Sequence, residues 1–352
     1  MEETRPFRVE GESAVLESAW MPGASGCNGG RSVKPQSPQA GGYLGVPLQD
    51  CWQCSYTHPP NILRFDDDWR VEEEQHTVRI GSEWVARNGP PDAGNVRELF
   101  QALAPHNGEG APRLRLIHNA YPAGYIGPLE VAESLVCLAD RESHNVDCSQ
   151  CSPLIRQALF DLYAMLAEYA ESRGLTPVPI VNGGRQRVSG CSSGCPHGQI
   201  WLLRAKPELY EAIERRGDQL GYCPLCAEIG RPDLSVPVAG LSKLRVLAHP
   251  APQRSWSLVI APVECTATLR AEDSGEWAAA YAAAVGGLER RLGAMPAYNF
   301  FIRIGAGHVH AVVLPRNTNI PGSVEYATGL TTVDVKPADA AARVAAALVA
   351  MR

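Results

Sequence analysis

Several features are missing from this chain, and each absence narrows its function. No apolar run approaches the roughly 18 residues that a membrane-spanning helix needs, so no span is expected. The opening residues, MEETRPFRVE, contain no apolar stretch of the secretory kind, and a cytoplasmic location is expected. Positive charge is not in excess: 32 Lys and Arg stand against 38 Asp and Glu, for a net charge of −6. With no basic stripe in the sequence, nucleic acid is not an expected partner.

What is present begins with cysteine. The chain has 11, an odd number. Without a secretory signal they read as metal ligands or reactive thiols rather than disulfides. The length of 352 residues fits two domains or one large one. Apolar residues at 45% and charged residues at 20% supply a sizeable core. Residues 22–46, rich in Gly, Pro and Ser, read as a loop or insertion, as does the polar stretch 88–112, apart from a short helix at VRELFQAL.

Two αβ units follow. In the first, RLRLIHNAYP and ESLVCLA read as strands. The helix after them opens on Ser152 as N-cap and Pro153 at its first position, and closes on Gly174. Ile155, Leu159, Leu162, Leu166 and Tyr169 recur along it at helical spacing. PVPIVNGG and CPHGQIWLLR read as the next strands. The second unit repeats this order. KLRVLAHPA and SWSLVIAPV are strands, and GEWAAAYAAAVGGLERRLG is a helix with Trp277, Tyr281, Val285, Leu288 and Leu292 on one face. NFFIRIG and HVHAVVLPR are strands, and a last helix starts at Pro337.

Each half also carries a CxxC, a ligand type near the end of an apolar strand, and a soft ligand two residues before a histidine. The reading is a duplicated α+β domain, residues 1–206 and 207–352. The matched places give two sets of four N or S donors of the kind a structural zinc ion takes. They are Cys51, Cys54, His144 and Cys195, and Cys223, Cys226, Cys265 and His308. The competing reading is that these are buried apolar cysteines. Cys148 and Cys151 form a further CxxC before a helix and can compete for the first site.

Within GCSSGCPHGQIW, residues 190–201, strand alternation places Cys195, His197 and Gln199 on one face. The turn SGCSSG can present backbone N–H groups to an anion. A neutral imidazole beside such donors suits attack on phosphorus through a covalent intermediate. The alternative is a satisfied core histidine. Asp66, Asp67 and Asp68 read as a solvated loop, His310 as structural, and His249 as a strand-end residue.

GCSSGCPHGQIW resembles the active-site signature of the galactose-1-phosphate uridylyltransferase family, a branch of the histidine-triad superfamily. The first histidine of that family's HPH is Cys195 here. CWQC, IHNAYPAG, and the stretch HVHAVVLPR, SVEYATGL, VKPADAAARV are similar to further family segments. The resemblance implies two tandem HIT-like domains, each a mainly antiparallel sheet with packed helices. It implies transfer of a nucleoside monophosphate between a nucleotide sugar, or a nucleoside triphosphate, and a sugar 1-phosphate. His197 is then the nucleophile and Gln199 the residue on the phosphoryl oxygens. Gly190 and Ser192 lie near the phosphates, Asn119 and Asn182 around the nucleoside and the glycine-rich turn, and Glu325 at the sugar of the other subunit of a homodimer. The two donor sets match structural zinc sites, and no organic cofactor is implied. YATGLTTVD carries no amide where the family's sugar-recognition segment usually has one, so the sugar stays open, and nothing in the sequence separates the bases. A phosphorylase or hydrolase on the same site is the alternative, as is a zinc-stabilised binding protein without chemistry.

Overall fold

The computed structural model describes residues 128–139, 143–184, 187–191, 195–316, 318 and 333–349, with the backbone of six short strands before them. Those six are β1 (Ile62–Arg64), β2 (Glu73–Glu74), β3 (Thr77–Ile80), β4 (Glu83–Ala86), β5 (Leu114–His118) and β6 (Tyr125–Ile126). The expected loops at 22–46 and 88–112, the short helix within the latter, and Asp66, Asp67 and Asp68 lie outside the described residues.

The remaining strands are β7 (Leu129–Ala139), β8 (Thr176–Gly183), β9 (His197–Leu203), β10 (Ser235–Val236), β11 (Leu244–Ala248), β12 (Leu258–Pro262), β13 (Tyr298–Arg303) and β14 (His310–Pro315). The helices are α1 (Pro153–Ser172), α2 (Glu208–Leu220), α3 (Pro224–Ile229), α4 (Ser274–Leu292) and α5 (Pro337–Val349). Most strands join one 11-stranded sheet in the order β1-β5-β7-β9-β8-β13-β14-β12-β11-β10, with β6 on β7. Every pair within it is antiparallel.

One pattern recurs across this sheet. In β5-β7-β9-β8 and again in β11-β12-β14-β13, two strands precede a helix and two follow it, and the last two lie in reversed order. The two runs meet where β8 pairs β13, from Ile180↔Phe301 to Gly183↔Tyr298. Pro177 and Pro179 sit in β8 although prolines avoid central strands. They are tolerated because β13 pairs only 180–183, while 176–179 pairs β9 alone, so the missing N–H groups fall where β8 has no second neighbour.

The helices α1 and α4 cover one face of the sheet. Ser152 Oγ accepts from Ile155 N at 3.3 Å and Gly174 takes φ +65°, so both ends of α1 fall where the sequence placed them. Leu159, Leu162, Leu166 and Tyr169 are buried from α1; Trp277, Tyr281, Val285 and Leu288 are buried from α4. Phe160 stacks on Trp277 with ring centroids 6.2 Å apart and meets Tyr281 and Phe300 edge-on or tilted. Leu135, Cys137, Ile200, Leu202, Phe300, Ile302, Ala311 and Val313 supply the sheet side of this core. Alternation then sends His197, Gln199, Asn182, Asn299, Arg303 and His310 to the opposite face. The functional candidates therefore occupy the face that the main core leaves to other contacts.

Candidate functional site

Strand β9 begins at His197, so Cys195 precedes it rather than sharing its alternation. Only His197 and Gln199 are on one face by strand geometry. His197 is 5% exposed, and its Nδ1 lies 3.0 Å from the Cys195 carbonyl. A carbonyl only accepts, so Nδ1 carries the proton and Nε2 holds the lone pair. That tautomer suits a nucleophile. Gly198 faces the other way: a Cβ there would stand 2.1 Å from Tyr163 Oη, so the side chain between the two polar residues has to be absent. Tyr163 Oη donates to the Ile180 carbonyl at 3.0 Å, tying α1 to β8 at the same level.

Gln199 Oε1 accepts from Trp201 Nε1 at 3.3 Å. With its oxygen turned to the indole, its NH₂ is turned away as a donor. Asn182, on the neighbouring strand, has its Oδ1 2.7 Å from Asn299 Nδ2, and the same nitrogen donates to the Ser189 carbonyl at 2.6 Å. Gly190 follows with φ +82°, which favours glycine, and a Cβ there would lie 3.5 Å from Asn182 Nδ2. Asn299 escaped the sequence reading. It is a polar residue inside NFFIRIG, and its two partners lie 117 and 110 residues away in sequence.

A second missed residue is Asp147, which is 2% exposed. Its carboxylate accepts from Ser149 N at 3.0 Å, Ser149 Oγ at 2.6 Å, Tyr298 Oη at 2.6 Å and Gly184 N at 2.7 Å. Tyr281 and Tyr298 share a hydrogen bond at 2.5 Å. This network fastens the end of β8 to β13 and α4. Gly184, at φ +76°, has no room for a Cβ, which would meet the Pro296 carbonyl at 2.1 Å.

Around the first donor set, His144 Nδ1 lies 3.0 Å from Cys195 Sγ, although 51 residues separate them. His144 Nε2 is 2.9 Å from Asn145 Nδ2, which only donates, so Nε2 accepts and Nδ1 carries its proton toward Cys195 Sγ. Cys51 and Cys54 lie outside the described residues, as do Asn119, Ser192 and Glu325. Cys148 and Cys151 are buried, and burial raises both thiols, Cys151 to about 11.

The second set is assembled in full. Cys223, Cys226, Cys265 and His308 place one donor atom each within 4.8 Å of all the others. Cys223 caps α3 with Pro224 behind it, so the CxxC sets both thiols at one helix start. His308 Nδ1 lies 3.4 Å from Cys223 Sγ and 3.3 Å from Cys226 Sγ. Its Nε2 donates to the Pro262 carbonyl at 3.0 Å, leaving Nδ1 as the ligand atom. Strand β14 begins at His310, not His308, and Gly305 and Gly307, both at positive φ, form the turn that brings His308 to the thiols. Burial, followed by contacts with Cys223 and Cys265, pushes the Cys226 thiol up to about 12. A divalent cation reverses that pressure by binding thiolates. Three thiols and one imidazole fit a tetrahedral zinc ion.

His310 resembles His197 in one respect: its Nδ1 lies 2.8 Å from the carbonyl two residues back, that of His308. It differs at Nε2, which faces the Arg303 guanidinium at 3.4 Å. Burial, then Arg303, lowers its basicity to about 3. A cavity of about 970 Å³ lies beside it, lined by Arg303, His249, Tyr222 and Val259 among others. With its lone pair committed to Arg303, His310 is poorly placed to attack an electrophile there.

Comparison with solved structures places this architecture. A uridylyltransferase matches with a TM-score of 0.60 at 20% identity, over 70% of this chain and 88% of that one. The fold is that of a uridylyltransferase. A GALT-like protein of Arabidopsis thaliana matches at 0.57 and 18% identity, over 66% and 82%. An ADP-glucose phosphorylase of the same plant, with bound ADP-glucose, matches at 0.56 and 18%, over 66% and 81%. No sequence family and no curated protein matches the chain. At these identities the uridylyltransferase fold is what is shared. Among the described residues no helix is long and apolar enough to cross a membrane.

Proposed function

We propose that the chain is a nucleotidyltransferase that works through a covalent intermediate on His197. Nε2 attacks the α-phosphorus of a nucleotide sugar. The bond from that phosphorus to the bridging oxygen breaks, and sugar 1-phosphate departs. An acceptor sugar 1-phosphate then attacks the same phosphorus, the N–P bond breaks, and Nε2 recovers its lone pair. The observation that carries this reading is the His197 tautomer, with Nδ1 facing the Cys195 carbonyl at 3.0 Å. The NH₂ of Gln199, turned away from Trp201, supplies a donor for charge on the phosphoryl oxygens. Ser192 and Gly190 add to the phosphate side, Asn119 and Asn182 line the nucleoside and the glycine-rich turn, and Glu325 binds sugar across a homodimer interface.

The chain is read as two tandem HIT-like domains, 1–206 and 207–352. The repeated strand order and the matched Nδ1–carbonyl contacts of His197 and His310 support this. Zinc held by Cys51, Cys54, His144 and Cys195 would anchor the residue two before the nucleophile. The second set would tie α3 to the turn before β14. Both ions are structural: they fix strands and turns, and every bond change stays with His197 and substrate. A cytoplasmic enzyme of carbohydrate metabolism follows from this reading.

A phosphorylase is the second reading, favoured by the ADP-glucose phosphorylase among the structural matches. There inorganic phosphate, rather than sugar 1-phosphate, resolves the intermediate. Incubation with ADP-glucose or UDP-glucose and labelled phosphate separates the two. Labelled nucleoside diphosphate marks the phosphorylase; exchange only with labelled sugar 1-phosphate marks the transferase.

A further inference from the structure

We propose that Asn299, a residue of the second unit, is a positioning residue for the anion-facing turn of the first. Its side-chain nitrogen has two protons. One goes to Asn182 Oδ1 at 2.7 Å and the other to the Ser189 carbonyl at 2.6 Å. Both partners belong to the segment that leads into His197, and the bonds cross 117 and 110 residues of sequence.

Each bond fixes a donor. With Oδ1 occupied, the Asn182 amide can turn only its Nδ2 outward, and that nitrogen is the side-chain atom nearest Gly190. With the Ser189 carbonyl drawn toward Asn299, the trans peptide that follows directs the Gly190 N–H the opposite way. Gly190 has the φ of +82° that such a turn needs. The placement is rigid because β8 and β13 pair directly at Asn182↔Asn299. Asp147 holds the next turn of chain by accepting from Gly184 N and Tyr298 Oη. Asn299 thus sets two preorganised donors, the Asn182 amide and the Gly190 N–H, toward the phosphoryl oxygens of the bound nucleotide. It touches neither substrate nor His197.

This rests on His197 being the nucleophile, and the test separates the two claims. The full-length zinc-loaded protein is mixed with UDP-glucose or ADP-glucose labelled in the nucleoside. The rate of acid-labile adduct formation is measured in a single turnover at saturating sugar nucleotide, with Tm on the same samples. Asn299→Asp keeps the shape but has no donor. It should slow adduct formation about a hundredfold, the scale on which a misplaced transition-state donor acts, and more than Asn299→Ala does. Half-saturation should change by less than threefold. In the double variant Asn182→Ala/Asn299→Ala the loss should be well short of the product of the single losses, because one acts through the other. Wild-type rates in Asn299→Asp, or losses that multiply and follow the drop in Tm, would overturn the positioning role while leaving the nucleophile in place. No adduct on the wild-type protein with either sugar nucleotide overturns both claims.

Discussion

Two histidines in this chain share one backbone contact and differ in what faces Nε2. His197 presents its lone pair from the strand next to Gln199, whereas His310 directs its own at Arg303. The same residue type is therefore a nucleophile candidate in one unit and a structural residue in the other. Cys195 carries the next residue-scale claim. If it is a zinc ligand with His144, Cys195→His should keep the metal, since imidazole and thiolate both suit zinc, and Cys195→Ala should lose one equivalent by metal analysis. Equal zinc in all three proteins would refute the assignment. Glu133 gives a pH prediction. Burial lifts its carboxyl to about 7, against partial relief from Arg173 and a hydrogen bond with Tyr169. The protonated form is thus the one the fold favours. Its contribution to stability is complete below the ordinary value of 4.5 and is lost as pH rises through about 7. Glu133→Gln should leave Tm unchanged near pH 4.5 and raise it at pH 8; a Tm difference independent of pH would exclude the effect.

At the level of strands and helices, the apolar periods were the legible part. The caps of α1 and the buried faces of α1 and α4 follow directly from Ser152, Gly174 and residues spaced by three and four. Strand ends were harder, because His308 and Cys195 read as strand residues but precede β14 and β9, His308 after two positive-φ glycines and Cys195 against His144. Asn299 and Asp147 were illegible, since the distant partners that give them a role lie 37 to 151 residues away and only the fold brings them together. Gly198 shows how the two levels join. The helix can lie against β9 only where no Cβ stands under Tyr163. Gly198→Ala should therefore destabilise by about 1–3 kcal/mol, the usual scale of overpacking, in urea unfolding. Tyr163→Phe added to it should recover part of that loss by removing the atom first met. Unchanged stability in Gly198→Ala would show that the helix contact does not constrain this position.

Across the whole molecule one sheet carries two runs of the same strand order, with metal proposed on each and chemistry on the first. Zinc analysis should give two ions per chain. His308→Ala should remove one and lower Tm while leaving a residual ability to label His197, because the second cluster lies in the other unit from the nucleophile. Complete loss of labelling in a folded His308→Ala protein would mean that the second cluster takes a direct part in the reaction. The strand order that joins the halves, and the Asn182↔Asn299 pairing at their seam, make the first site dependent on residues of the second unit. The most direct test of the central claim is peptide mass spectrometry after brief incubation with UDP-glucose or ADP-glucose. The account predicts a nucleoside monophosphate on His197, absent from His197→Ala. A nucleotide on His310, or none on any residue of the wild-type protein, would contradict it.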